Sequence, residues 1–556
     1  MADVPAARPR LAVFAGPNAT VLNSPPLVTS NKARVARGLP PRTLPDGRPP
    51  RFDPLRPQRL AAPVTVYIEQ FSAHPLESDA AELYAPPDGY LDAEGGFHQQ
   101  RQSPQDRPVY QVTLEPGDGL YPLPYMAMQA DGRPWEGDEA DPFGLPGRTR
   151  QPFYPDASRV FEEIERLAPG DDGLAAHLSR FAEFDFFRPA PPGGHTKAGE
   201  VRGLDFFPYR PPHLLRQPSR RTLARLTNEV QRVLASGDYA GAIWLEGSPY
   251  VEETAWWLDL LLDTTLPIAA CAAQREHGSV GNDGDRDIID AVRYLASDVW
   301  ADEQGRDALG AVVVMDQLII AARSVQKGDA RPGGYLTTGG HGGVLGSITS
   351  IGRPVVSMRP VHRHTWSSEV RFTRLPDVVQ GVRKGGAGAI GTWPVAIRDA
   401  AGELVPGAIP MVALVKHGQY SDEDDVVDLA AEVAILARLD RALEREPLSG
   451  FVAEGSAPFG TLGEATEAAL RLAVFSGLPV VKVGRGNADG WTEGTYGPFA
   501  IAGGNLTATK ARLLLMACLL RFGALPPAAD PAHPNGPEIA ATQAALDRFR
   551  EVFATH

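Results

Sequence analysis

The turn Glu246-Gly247-Ser248-Pro249 puts a carboxylate, a hydroxyl and a rigid backbone between two strongly patterned segments. Residues 242–245, Ala-Ile-Trp-Leu, read as a buried strand. Beyond the turn, Val251, Thr254, Ala255, Leu258, Leu261 and Leu262 share one helical face. Ser248 suits the N-cap and Pro249 the first helical position. Strand, tight turn and helix N-terminus together are where α/β enzymes place their chemistry. This turn nonetheless holds no evident base, metal-ligand set or phosphate loop. It is either an active site with an unusual residue set or only a well-capped helix.

Other reactive patterns are sparse. HExxH, CxxC, GxSxG and P-loop motifs are absent. His362-Arg363-His364 could chelate a metal but has no supporting carboxylate cluster and lies near the expected interdomain linker. The glycine-rich run from Gly333 to Gly346 is explained by backbone freedom. Cys271 and Cys518 lie in apolar segments and read as buried free thiols.

The elements that position the turn follow from length and texture. A chain of 556 residues exceeds a single core, and 43% hydrophobic with 22% charged residues is a soluble globular composition. A net charge of −14 argues against nucleic-acid binding. There is no 18-residue apolar run for a membrane span, and MADVPAARPRLAVFAG lacks the apolar core of a secretory signal, so a cytoplasmic location is expected. From Arg220 onward, helical periods alternate with AIWL, LPIAAC, GAVVVMD, IPMVALV, GFVAEG, LPVVKVG and FAIAG, which implies parallel βαβ units. A break falls between Ser350 and Val378. Residues 31–212 are rich in proline, charge and aromatics, with strands expected at Pro63–Phe71 and Val109–Leu114 and helices at Asp156–Leu167 and Leu174–Phe184.

Four stretches in this order resemble the asparaginase/glutaminase family of amidohydrolases. They are GPNATVL (Gly16–Leu22) after the strand LAVFA; EGSPYVEETAWWLDLLL; NDGDRDIIDAVRYLAS followed by GAVVVMDQLIIAARSVQKGD; and GFVAEGSAPFGTL, LPVVKVGRG and AIAGGNLTATKARLLLMACL near the C-terminus. The resemblance implies an α/β fold with a larger N-terminal parallel α/β domain and a smaller C-terminal α/β domain, here interrupted by a large irregular insertion. The implied division is 1–30 with 213–358, an accessory region 31–212, a linker 359–375 and a C-terminal domain 376–556. It also implies amide hydrolysis by a Thr nucleophile, without a cofactor, in a homodimer or homotetramer. There SAPFGTL (Ser456–Leu462) and GWTEGTYG (Gly490–Gly497) of one chain would close the cleft of another.

Carried over residue by residue, Thr20 matches the nucleophile, Lys327 the family lysine and Ser248 the second threonine, with its hydroxyl kept. Pro249 stands where the family has Asp, which removes a carboxylate and a backbone donor. Glu246 replaces a His and could return a carboxylate to the site. Substrate contacts are implied at Gly247, Tyr250, Arg216 and Ser219, with Arg220 and Arg221 adding positive charge nearby. A solvated helix start explains those arginines as well. Asp283 matches a structural acidic position, and Glu252 and Glu253 favour the helix dipole without a chemical role. Roughly 150 residues are inserted after the nucleophile loop. They are expected to form an enlarged lid whose aromatic walls could include Tyr67, Phe71, Tyr84 and Tyr125, a subunit interface, or both.

These features favour an amidohydrolase for a linear or cyclic amide other than free asparagine. A non-catalytic binding or regulatory protein on the same fold is the alternative. A true asparaginase/glutaminase is a weaker reading, and an amidotransferase subunit acting on charged tRNA is disfavoured by the acidic balance.

Overall fold

The computed structural model describes residues 8–16, 21–22, 64–68, 87–92, 96–114, 150–151, 161, 164, 178–187, 219–275, 282–329, 334–338, 341–386, 388–417, 429, 432–456, 460–485 and 497–556. Thr20, Arg216, Phe71, Tyr84 and Tyr125 lie outside them, as does most of GWTEGTYG.

The main sheet is built from β1 (Arg10–Ala15), β2 (Glu183–Phe187), β3 (Gly241–Leu245), β4 (Ile268–Cys271), β5 (Val312–Met315), β6 (Leu318–Ala321), β9 (Val344–Ile348) and β10 (Pro354–Val356). Between β6 and β9 lies a separate hairpin of β7 (Val325–Lys327) and β8 (Tyr335–Thr337). The spatial order is β10-β9-β6-β5-β4-β3-β1-β2. Pairing is parallel from β2 to β5 and antiparallel from β5 to β10.

Helices α1 (Thr222–Leu234), α2 (Tyr250–Leu261) and α3 (Gly284–Leu295) connect the parallel strands. The alternation of side chains along each strand sorts the core into two layers. Ala12, Phe14, Ala242, Trp244, Ala270 and Val313 pack with α1 and α2, while Leu11, Val13, Ile243, Ala269 and Val314 pack with α3. Because both faces are covered, the strands read as unbroken apolar runs. At the β5–β6 turn, Asp316 and Gln317 both adopt positive φ, the requirement of a type I′ hairpin.

The C-terminal part holds a hairpin of β11 (Val378–Lys384) and β12 (Ile390–Ala396). Beside it is a four-stranded parallel sheet in the order β13 (Met411–Lys416), β14 (Ser449–Gly455), β15 (Val480–Gly484), β16 (Ile501–Ala502). Around these lie α4 (Val433–Arg445), α5 (Glu464–Phe475), α6 (Ala508–Phe522) and α7 (Gly536–Thr555). One apolar cluster runs from α2 into α6 and both flanking sheets, so the two parts share a continuous core. Residues 359–375 pack onto that core: Ser368 donates to the Leu260 carbonyl at 2.8 Å, and the Arg363 N–H to the Thr555 carbonyl at 2.8 Å.

The helix expected at Leu174–Phe184 is absent over its described residues, 178–184. Leu178–Arg180 is a short 3-10 turn, and Glu183–Phe187 is β2, paired in parallel with β1. Phe181, Phe184 and Phe187 recur every three residues, which mimics a helical face. In the structure Phe187 stacks on Phe14 with ring centroids 5.4 Å apart. The stretch between β1 and α1 therefore supplies an edge strand to the main sheet. The expected strands at Pro63–Phe71 and Val109–Leu114 correspond to Val64–Ile68 and Arg107–Leu114, which pair antiparallel; Tyr67 lies on the first. Of the helix expected at Asp156–Leu167, only Phe161 and Ile164 are described, both helical.

Candidate active site

The carboxyl ends of β1 and β3 meet where the Gly16 N–H donates to the Leu245 carbonyl at 2.7 Å. This sets Gly16, the residue after β1, against the turn at Glu246. Glu246 is buried, and its Oε2 accepts the Trp244 indole N–H at 2.9 Å. The close approach requires a glycine at position 16, because a Cβ there would stand 2.9 Å from both the Glu246 carboxyl carbon and the Trp244 ring. Gly16→Ala is therefore expected to destabilise the protein by about 1–3 kcal/mol, the usual cost of overpacking. Urea unfolding measures this, and a change below about 0.3 kcal/mol would show that the contact is not tight.

Ser248 does not cap α2. The helix begins at Tyr250, Pro249 occupies the N-cap position, and no side chain caps the end. The Ser248 hydroxyl instead accepts a hydrogen bond from the Tyr335 hydroxyl at 2.7 Å. Burial pushes the Tyr335 phenol up to about 12, so it stays protonated and donates. The Ser248 proton is thereby directed toward another acceptor.

Tyr335 sits directly opposite Lys327 in the β7–β8 hairpin. That register explains the position of the Lys327 ammonium 5.3 Å from the Tyr335 ring centroid. The same ammonium donates to the Gln274 side-chain carbonyl. Gln274 lies just past β4, also at the carboxyl edge, in a loop held by Asp283. The Asp283 carboxylate accepts the Gln274 N–H at 3.0 Å and the Arg275 N–H at 2.7 Å. Lys327 and Ser248 thus communicate through Tyr335, the residue between them. Neither Tyr335 nor Gln274 stands out in the sequence.

Glu252 and Glu253, to which the sequence assigned no role, position this cluster. Glu252 Oε2 accepts the Lys327 backbone N–H. Burial raises the Glu252 pKa, and that hydrogen bond and the Lys510 charge oppose the rise. Glu253 pairs with Arg512 on α6. Lys510, fully buried on α6, donates to the carbonyls of Glu252 and Ala322.

The implied carboxylate contacts fare differently. Because α1 runs back along the sheet toward β3, its N-terminus with Ser219 lies at the carboxyl edge; the Ser219 carbonyl accepts the Thr222 N–H at 2.8 Å. Arg220, however, is committed to the C-terminal part, donating to the Ile409 carbonyl at 2.9 Å and pairing with Glu446. Gly247 and Tyr250 flank Ser248 and are partly buried. His362 and His364 form no metal cluster with other ligand types among the described residues. Cys271 and Cys518 are free and buried.

Comparison with known proteins bears on what this edge is for. The asparaginase N-terminal family model matches residues 217–345, the stretch that contributes Glu246, Ser248, Gln274, Lys327 and Tyr335. Residues 217–345 are thus similar to the N-terminal part of asparaginases.

An L-asparaginase of Bacillus licheniformis is 34% identical over 105 residues, which is 19% of this chain and 31% of that protein. A glutaminase-asparaginase of Acinetobacter glutaminasificans is 26% identical over 165 residues, 29% of this chain and 47% of the relative. The matched regions thus span less than half of each of these relatives. A solved structure, the probable cytoplasmic L-asparaginase of Campylobacter jejuni, aligns with 72% of this chain and 91% of its own length, at 16% identity and a TM-score of 0.46. Among the described residues no helix is long and apolar enough to cross a membrane.

Proposed function

We propose that this asparaginase-like chain hydrolyses a linear or cyclic amide other than free asparagine. The observation that supports it most is the Tyr335–Ser248 hydrogen bond with Lys327 paired opposite Tyr335. These are proton-carrying groups gathered at the sheet's carboxyl edge beside the end of β1. In this reading the Thr20 oxygen attacks the amide carbon and its proton passes through the Ser248 and Tyr335 hydroxyls to the Lys327 side chain. That relay requires the Tyr335 hydroxyl to turn from Ser248 toward the amine. The C–N bond then breaks, the leaving nitrogen takes the proton, and water cleaves the Thr20 ester to release the acid.

Three features turn the reading away from free asparagine. Pro249 supplies no carboxylate for an α-ammonium group, Arg220 is occupied by Glu446, and the Glu246 carboxylate is engaged by Trp244. Purified protein is expected to release little or no ammonia from asparagine and to open or cleave at least one member of a panel of larger amides, cyclic amides and imides. Robust asparagine turnover would overturn the substrate assignment. Inertness toward the whole panel would favour a binding protein on the same fold.

The same reading makes the protein a homodimer or homotetramer, with Ser456–Leu462 of one chain closing the cleft of its neighbour. Light scattering at micromolar concentration tests this, and a monodisperse monomer counts against it.

A further inference from the structure

A second cavity, of about 250 Å³, lies apart from Glu246, Ser248, Lys327 and Tyr335. Its described walls come from α2 (Asp259), the bend after β6 (Arg323, Ser324), Gly342, and the segment holding His362 and His364. Arg323 is nine-tenths buried. Its Nε donates to the His556 backbone oxygen at 2.9 Å, and its two terminal nitrogens, which are not closed off from solvent, make no further hydrogen bond to the described residues. Asp259, also buried, accepts the Ala311 N–H on Oδ1 at 2.7 Å and makes no ion pair with Arg323.

The planar fork of a guanidinium with donors still free matches an oxyanion. The surrounding charges point the same way. Arg359 and Arg363 stand at the rim, with Arg363 paired to Glu369. Burial holds His362 and His364 at about 4, so both are neutral hydrogen-bonding groups near pH 7. Burial likewise lifts Asp259 to about 7, so much of it is a protonated donor at neutral pH. The cavity is therefore net positive, lined with donors, and too small for a drug-sized ligand.

We propose that this cavity is a binding site for a compact oxyanion, a phosphate or a small carboxylate, held chiefly by the Arg323 guanidinium. Arg323 and Ser324 lead directly into β7, which carries Lys327, so an occupant would sit against the strand that positions the lysine.

Calorimetric titration of the full chain with inorganic phosphate, malonate and glycine tests the site. At least one of the two anions is expected to bind with one-to-one stoichiometry, and glycine more weakly. Tighter phosphate binding would assign a phosphorylated ligand, and tighter malonate binding a carboxylate. Arg323→Gln should weaken binding at least tenfold. Gly342→Leu provides a second route, since a Cβ there meets only the Met358 methyl at 3.8 Å and the added side chain would fill the mouth with Arg323 intact. No binding by either anion, equal binding of glycine, or unchanged affinity in both variants would overturn the proposal.

Discussion

Replacing Thr20 by alanine is expected, on the threonine mechanism proposed above, to abolish turnover of the true substrate, because that mechanism's attacking oxygen is gone. Lys327→Met, which keeps length and removes the amine, should lower kcat by about two orders of magnitude or more, the usual scale for a lost general base. Tyr335→Phe keeps the ring beside Lys327 but deletes the donor to Ser248. It should lower kcat more than it changes KM, since the hydroxyl serves proton transfer rather than binding. Ser248→Ala should be milder if a water spans the gap. Glu246→Gln separates two mechanisms: its carboxylate already accepts the Trp244 N–H, so under the threonine mechanism the amide should support most of the activity. If activity survives Thr20→Ala and dies with Glu246→Gln, the threonine mechanism fails and a carboxylate acting on water is the better account. Single-turnover and steady-state kinetics on purified variants decide between them.

The parts of this site that the sequence reveals are the local ones. The strands around AIWL, LPIAAC and GAVVVMD are legible because burial on both faces leaves no polar alternation. The turn at Glu246 is legible because it joins two periodic segments. What the sequence hides are partners brought in from afar. Tyr335 is 87 residues from Ser248, Gln274 is 53 from Lys327, and Glu252 is 75 from it. No local periodicity encodes such pairs. Ser248 followed by Pro249 has the composition of a cap, but a distant phenol engages the hydroxyl, and tertiary contact overrides local preference. Asp283 is an intermediate case: its backbone-binding role follows from position, whereas the glutamine it presents to Lys327 does not.

The second large effect is on stability, through the buried pair Lys510 and Asp259. Lys510 lies between the Glu252 and Ala322 carbonyls, and burial lowers its pKa from 10.5 to about 7. Burial raises Asp259 from 3.8 to about 7. Between about pH 4 and 7 the unfolded chain gives up the Asp259 proton that the folded chain keeps, so stability falls as pH rises through this range. Between about pH 7 and 10 the unfolded chain holds the Lys510 proton that the folded chain has lost, so stability rises with pH. Both costs are therefore near full at neutrality. Each corresponds to roughly 4 kcal/mol if the group stood alone, and their mutual attraction reduces the sum. Asp259→Asn should thus gain stability relative to the native chain as pH rises from 5 to 7, and Lys510→Met should lose relative stability from 7 to 9. Urea unfolding across this range checks both, and parallel curves for all three proteins would show that the pair does not titrate on unfolding. Lys510→Met should also lower kcat even where the fold holds. Lys510 fixes the Glu252 backbone, the Glu252 carboxylate fixes the Lys327 backbone, and a loosened Lys327 amine spends less time where a proton must arrive.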